Sequence, residues 1–319
     1  MSYPVQVAGL QKSFGNLKAV DDFSLELGQG ELFGLIGPDG AGKTTLIRIL
    51  VGLMLADGGS ASVGGFDVVR ERARVKEIIG YMPQRFSLYP DLTLEENLRF
   101  YADLFQVPEA ERRARQQRLM QFSRLEPFLG RRAGQLSGGM KQKLALSCTL
   151  IHQPEILFLD EPTTGVDPLS RREFWSLLDS LQAEGKTIVV STAYMDEAVR
   201  CDRVGLMFTG RLMAVDTPER LRKTYPFDLL EVELDEPVLN LQLIKGLPRV
   251  RSVQVFGDRL HVGVAEAQAA AASLERELSQ RAVGPVRVRR IEPCLEDVFV
   301  ELIGSWKERI SRDPDKRGE

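Results

Sequence analysis

The sequence predicts an α/β fold built on a mostly parallel sheet, followed by a second, smaller α+β domain. Three observations predict it. Up to about residue 217, apolar runs alternate with longer helix-like stretches, as in ELFGLIG before KTTLIRILVGL and EILFLD before PLSRREFWSLLDSLQAEG. Alternation of this kind lays helices on the faces of a parallel sheet. A glycine-rich turn joins the first of those strands to its helix. Beyond VDTPERLRKTYPFD, which Pro218 and Pro226 punctuate, the rhythm changes.

Bulk properties narrow the function classes. With 319 residues, 43% hydrophobic and 27% charged, the chain is long enough for two domains with separate cores. A formal charge of −3 leaves no electrostatic footprint for nucleic acid, and no nucleic-acid partner is expected. Cys148, Cys201 and Cys294 are scattered and odd in number, which fits neither a disulfide framework nor a metal cluster and points to a reducing, cytoplasmic compartment. MSYPVQVAGLQK lacks a basic start followed by an apolar core, and no apolar run reaches the roughly 18 residues of a membrane span, so a soluble chain is expected.

The turn reads GLIGPDGAGKTTLIRIL, and its candidate nucleotide-binding residues are Gly37, Pro38, Asp39, Gly40, Ala41, Gly42, Lys43, Thr44 and Thr45. Gly37-x4-Gly42-Lys43-Thr44 is the P-loop pattern, set directly between a strand and a helix. Glycines let the backbone curl so that successive N–H groups and the helix N-terminus point at an anion. Lys43 then supplies a point charge to the β- and γ-phosphates, and the Thr44 hydroxyl is a ligand for Mg²⁺. Average residue frequencies predict about 0.01 such matches in a chain of this length, so chance is a poor account of it.

A carboxylate for the metal and another for water should follow at a strand end, and EILFLDEP supplies both. Asp160 closes the strand and can hold Mg²⁺ through water, while Glu161 is placed to orient and deprotonate an attacking water. Two acids that merely cap the helix after Pro162 are the plainer alternative, which loses force beside a P-loop.

LSGGMKQKLALSCTLIHQPEILFLDEPTTGVDP carries a further anion site. Ser137 and two glycines precede an amphipathic helix whose N-terminus can face a γ-phosphate. Leu136-Ser137-Gly138-Gly139-Met140, about twenty residues before FLDE, resembles the signature motif of the ABC (ATP-binding cassette) ATPases. The resemblance implies a P-loop NTPase cassette, a RecA-like core plus a helical subdomain at about 86–150, over residues 1–222. It further implies that the signature of one cassette meets the P-loop of another with ATP between them.

Other positions match the family one at a time. Phe14 in KSFG resembles the aromatic that stacks on adenine, with a core Phe as the alternative. Gln84 in YMPQRFSLYPDLT resembles the Q-loop glutamine, which touches Mg²⁺ and water and relays movement to a membrane partner. Asp167 in TTGVDP resembles the D-loop aspartate that reaches across the dimer. LTLEENLRFYADLF resembles the helical subdomain that docks on a permease, where Phe86, Leu88 and Tyr89 are either contacts or ordinary core. The wording GYMPQ, LYPDLTLEENL, LSGGMKQKL and PCLEDVFVEL is most similar to ABC-2-type exporter ATPases, including multidrug-export subunits. That likeness implies ATP hydrolysis coupled to efflux, with ATP and Mg²⁺ as cofactors and no other metal. The implied partners are an ABC-2-type integral-membrane permease and a second cassette, identical or different, on the inner face of the cell membrane. A DNA-repair or translation ABC ATPase is the rival. The former insert a long coiled coil between Gln84 and Ser137, where about fifty residues leave no room, or carry zinc-ligand cysteines, which three scattered cysteines do not supply; the latter join two cassettes in one chain.

Two departures stand out. Asp39 replaces the more usual Asn. In TIVVSTAYMDEAVRCD, a strand with Ile188-Val189-Val190 ends in STA before a helix beginning at Met195, and Ala193 occupies the place where the family has its H-loop histidine. His152 and His261, the chain's two histidines, lie elsewhere and are expected to pack or face solvent. The resemblance then implies one poor site and one good half-site, paired either with a cassette that retains its histidine or with an identical, slow one.

Residues 227–304 read as strand LLEVEL, helix 237–246, strand around Val253–Val255, strand LHVGV, helix 266–282 and strand VRVRRI, the β-α-β-β-α-β order of a ferredoxin-like unit. A last helix, LEDVFVELI, presents Leu295, Val298, Phe299, Leu302 and Ile303 on one face. The stretch 305–319 is charged and is expected to fray. In the family such a domain helps the ATPase dimerise.

Overall fold

The computed structural model describes residues 3–85, 88–280 and 285–312. It forms two units, divided between Thr217 and Pro218. In chain order the first contains β1 (Val5–Phe14), β2 (Leu17–Leu27), β3 (Leu32–Ile36), α1 (Lys43–Leu50), β4 (Gly58–Val63), β5 (Phe66–Asp67), α2 (Arg72–Ile78) and β6 (Ile79–Met82). Next come α3 (Leu94–Leu104), α4 (Glu109–Ser123), α5 (Gly138–Leu150), β7 (Ile156–Asp160), α6 (Pro168–Ala183), β8 (Thr187–Thr192), α7 (Met195–Ala198), β9 (Arg203–Phe208) and β10 (Arg211–Asp216).

A six-stranded sheet runs β10-β9-β3-β8-β7-β6 and is parallel except at its β10 edge. LFGLI, ILFLD and TIVVST are buried throughout, as strands covered on both faces must be. Register sets the site: Ile36 lies beside Thr192, and Asp160 beside Ser191, so the C-terminal ends of β3, β7 and β8 share one edge.

The alternating pattern did not foresee a second, antiparallel sheet, β2-β1-β4-β5. Gly15, at φ +59°, turns β1 back on β2. Val5, Val7, Phe23, Leu25 and Leu27 then pack with Phe33 and Leu35 of the parallel sheet and with Ile47 and Leu50 of α1 in a single core.

The helices α3 to α5 enclose their own core of Leu94, Leu98, Met120, Leu125, Leu144 and Cys148, within the stretch expected as a helical subdomain. A capping box starts α3: the Thr93 hydroxyl accepts from Glu96 N while the Glu96 carboxylate accepts from Thr93 N. Phe86 lies outside the described residues. Leu88 packs on that core, whereas Tyr89 is 43% exposed and meets Phe100 edge-on.

The second unit comprises α8 (Pro218–Lys223), β11 (Asp228–Glu233), α9 (Pro237–Lys245), β12 (Val250–Phe256), β13 (Arg259–Val264), α10 (Ala267–Gln280), β14 (Arg287–Ile291) and α11 (Leu295–Arg312). Its antiparallel sheet, β12-β13-β11-β14, has the strand order of a ferredoxin-like fold. Leu230, Val232, Leu260 and Val262 face Ile244, Leu274 and Leu278 of α9 and α10. Two boundaries differ from those expected. The break falls at Pro218, not after 222, because α8 packs on α11 and the Tyr225 hydroxyl lies 3.2 Å from Ser252 Oγ. And α11 runs on to Arg312, into the stretch expected as a tail from 305, because Leu302, Ile303 and Trp306 extend its half-buried face. Among the described residues no helix is long and apolar enough to cross a membrane.

Candidate active site

The turn after β3 is held by close backbone approach. A Cβ on Gly37 would meet the Met207 carbonyl oxygen at 2.2 Å, and one on Gly42 the Ala19 carbonyl oxygen at 2.0 Å. Gly40 and Gly42 have φ of +79° and +104°, which side-chain-bearing residues rarely adopt. Pro38 and Ala41 complete the curl, with Ala41 N donating to the Pro38 carbonyl. Asp39 is exposed at the tip, where solvent screens its charge. No side chain caps α1 at Gly42, so its first N–H groups point into the turn. Thr45 lies half-buried in that first turn.

Lys43, 4% exposed, donates from Nζ to the carbonyls of Gly37 (2.7 Å) and Pro38 (3.0 Å) and lies 3.1 Å from Glu161 Oε1. The Gln84 amide donates to the other Glu161 oxygen at 2.8 Å. Thr44 Oγ1 donates to Asp160 Oδ1 at 3.1 Å, and Ser191 Oγ donates to the same oxygen at 2.7 Å. Burial pushes the Asp160 carboxyl above its usual range, against the two hydroxyl bonds that favour its charge. Its Oδ2 is buried without a partner among the described residues. A buried carboxylate oxygen left free on a residue that already meets a threonine hydroxyl is a start for binding a hard, oxygen-seeking cation.

Glu161 adopts φ +49°, uncommon for a residue with a side chain. Its N–H donates to the backbone oxygen (3.1 Å) and hydroxyl (3.0 Å) of Ser191, which fixes that turn. The five polar side chains brought together here, Lys43, Thr44, Gln84, Asp160 and Glu161, were each legible in the sequence. Ser191 was not; only strand register puts it beside Asp160.

At the end of β8, the Thr192 carbonyl accepts from Gly37 N at 3.3 Å, so Ala193 stands directly against the phosphate turn, exposed and without a polar side chain. Each histidine is engaged within its own surroundings. His152 Nε2 lies 2.8 Å from the Ile79 carbonyl and its ring stacks on Phe105. His261, in the second unit, pairs with Asp297.

Ser137 caps α5 by accepting from Met140 N at 3.3 Å, and Leu136 is buried at 5% exposure. A Cβ on Gly139 would meet Ser170 at 2.4 Å, and one on Gly138 would touch the Gly165 carbonyl, so the signature abuts the start of α6. Asp167 caps α6, accepting from Leu169 N and Ser170 N, and is held below the usual carboxylate range by its bonds with Ser170 and Leu169. Phe14 is 49% exposed at the β1–β2 turn, with Lys12 Nζ 5.6 Å from its ring centroid, rather than in the core.

The ABC transporter family matches residues 20–164. The probable multidrug ABC transporter ATP-binding protein YbhF of Escherichia coli is 40% identical over 94% of this chain and 52% of its own length. The daunorubicin resistance ATP-binding protein DrrA2 of Streptomyces coeruleorubidus is 36% identical over 95% of both chains. The chain thus spans about half the length of the first relative and nearly all of the second. The dimeric post-hydrolysis structure of the ATP-binding cassette MJ0796, bound to ADP and Pi, aligns with a TM-score of 0.61 and 27% identity over 67% of this chain and 98% of that one.

Proposed function

This chain belongs to the ABC transporter family of ATP-binding proteins, and on that premise we propose that it binds and hydrolyses ATP as the cytoplasmic subunit of an ABC-2-type exporter. The observation that carries the reading is the convergence of Lys43, Thr44, Gln84, Asp160 and Glu161 at one edge of the parallel sheet. Lys43 and the uncapped start of α1 bind the β- and γ-phosphates. Thr44, Asp160 and Gln84 would hold Mg²⁺, which neutralises charge on the transferring phosphoryl group. Glu161, its carboxylate oriented by the Gln84 amide, accepts the proton of the attacking water. Phe14 offers a face for the adenine ring.

Position 193 supplies no donor to the developing charge. Loss of one such donor typically costs about 2.7–4 kcal/mol of transition-state stabilisation. We therefore read the chain's own site as slow and its signature, Leu136–Met140, as able to complete a site on a second cassette, of this chain or another. An ABC-2-type permease anchors the pair on the inner face of the membrane, and the second unit assists pairing. The relatives, one named for a multidrug ABC transporter and one for daunorubicin resistance, support export as the direction.

Titration with a fluorescent ATP analogue tests the site. Lys43→Ala should weaken binding about 10- to 100-fold, since charge-assisted bonds are worth about 1.5–3 kcal/mol each. An unchanged affinity would sink the assignment.

A further inference from the structure

Glu197, 3% exposed on the short helix α7, gathers three side-chain donors. Its Oε1 accepts from Thr163 Oγ1 at 2.7 Å and from Arg171 Nε at 3.1 Å, and its Oε2 accepts from Thr192 Oγ1 at 2.7 Å. A buried carboxylate is tolerated only when its oxygens are satisfied in this way.

Each donor belongs to a different arm of the site. Thr192 ends β8; its carbonyl accepts from Gly37 of the phosphate turn and its hydroxyl accepts from Tyr194 N at 3.0 Å, so it brackets Ala193 on both sides. Thr163 lies just past Glu161 in the turn after β7, and Thr164 N donates back to the Glu161 carbonyl. Arg171 lies one turn into α6, its N–H donating to the carbonyl of the cap residue Asp167. Arg171 also reaches Asp196 at 3.0 Å and lies 4.4 Å from the centre of the Tyr194 ring, closing the cluster over the residue after Ala193.

We propose that Glu197 is a positioning residue that locks the Ala193 segment, the turn after Glu161 and the Asp167 end of α6 into one block. Three segments otherwise joined through backbone bonds and the β7–β8 pairing are also tied, side chain to side chain, to one buried carboxylate, so their displacements are shared. The inference rests on the ATPase reading above. It also carries a consequence for Ala193: the frame that would aim a ring at that position is intact although the ring is missing.

The test compares Glu197→Gln with the unmodified chain. Because a neutral side chain there can compromise folding, Thr192→Val, which keeps the carboxylate and removes one donor, is run beside it. Hydrogen exchange should accelerate together over residues 163–166, 167–171 and 192–196 in Glu197→Gln. In an Ala193→His background, kcat should fall about 10- to 100-fold, the scale of a misplaced catalytic geometry, with KM and the affinity for a fluorescent ATP analogue within about twofold. Thr192→Val should show the same pattern, smaller. Exchange that rises only around the substituted residue, or affinity that falls in step with kcat, would overturn the proposal. Failure of the ATPase reading shows separately, as unchanged affinity in Lys43→Ala, and leaves the exchange experiment able to judge the block.

Discussion

The Lys43 ammonium lies 3.1 Å from Glu161 Oε1, and both side chains are almost wholly buried. The cation that should bind phosphate and the carboxylate that should take a proton from water are thus each other's partners. A phosphate that recruits Lys43 competes with Glu161. Glu161→Gln removes that competition and the base together. It should abolish phosphate release while tightening ATP binding several-fold, the two being measured by steady-state assay and analogue titration. A variant that binds ATP more weakly would contradict this account of the pair.

Ala193→His should raise the ATPase rate of the isolated chain about 10- to 100-fold. The gain is set below the full value of a donor because, although the backbone frame around position 193 is held by Glu197, no side chain among the described residues is placed to hydrogen-bond the new ring itself. Combining it with Glu161→Gln should return the rate to baseline. An unmodified chain already as fast as Ala193→His would show that another residue makes the contact.

Gly139→Ala should separate binding from turnover. The added methyl would sit 2.4 Å from Ser170 and push the start of α5 away from α6, at a cost of about 1–3 kcal/mol. ATP affinity of the isolated chain, which depends on the P-loop, should hold while hydrolysis in the paired state falls. Loss of both would place the signature's contribution in folding instead.

In the second unit, Asp297 is fully buried, with His261 Nδ1 2.8 Å from its Oδ1 and Cys294 N donating to Oδ2 at 2.8 Å. Burial pushes its carboxyl up, and the bonds from His261 and Cys294 outweigh that, holding it below its ordinary value. A carboxyl lowered in the folded state adds stability that is present above its unfolded value, near 4, and disappears as pH falls through the folded value. Asp297→Ala should therefore cost about 3 kcal/mol at pH 7, from the donors it strands. In urea melts of the full chain followed in the second unit, the gap from wild type should narrow as pH falls below about 4. A gap that widened below that pH would reverse the assigned sign.

Chain-local chemistry was legible in advance. The phosphate turn between β3 and α1, the carboxylate pair that closes β7 and the β-α-β-β-α-β order of the second unit each depend on residues a few positions apart or on periodicity. The helix α11 was expected to stop sooner, because Lys307, Glu308 and Arg309 read as tail although the apolar spacing of Leu302, Ile303 and Trp306 continues through them.

By itself the sequence determined which chemistry is present: a phosphate turn, a carboxylate pair at a strand end, and an alanine where an imidazole would stand. Only the tertiary structure decided who touches whom. It folded β1, β2, β4 and β5 into a sheet of their own, seated Ser191 on Asp160 through the register of β7 and β8, and closed Thr163, Arg171 and Thr192 around Glu197. The physical reason is that backbone preference and hydrophobic period are properties of a short window. A hydrogen bond between side chains on separate elements exists only once register and packing have brought them within about 3 Å, and those are settled cooperatively by the whole core.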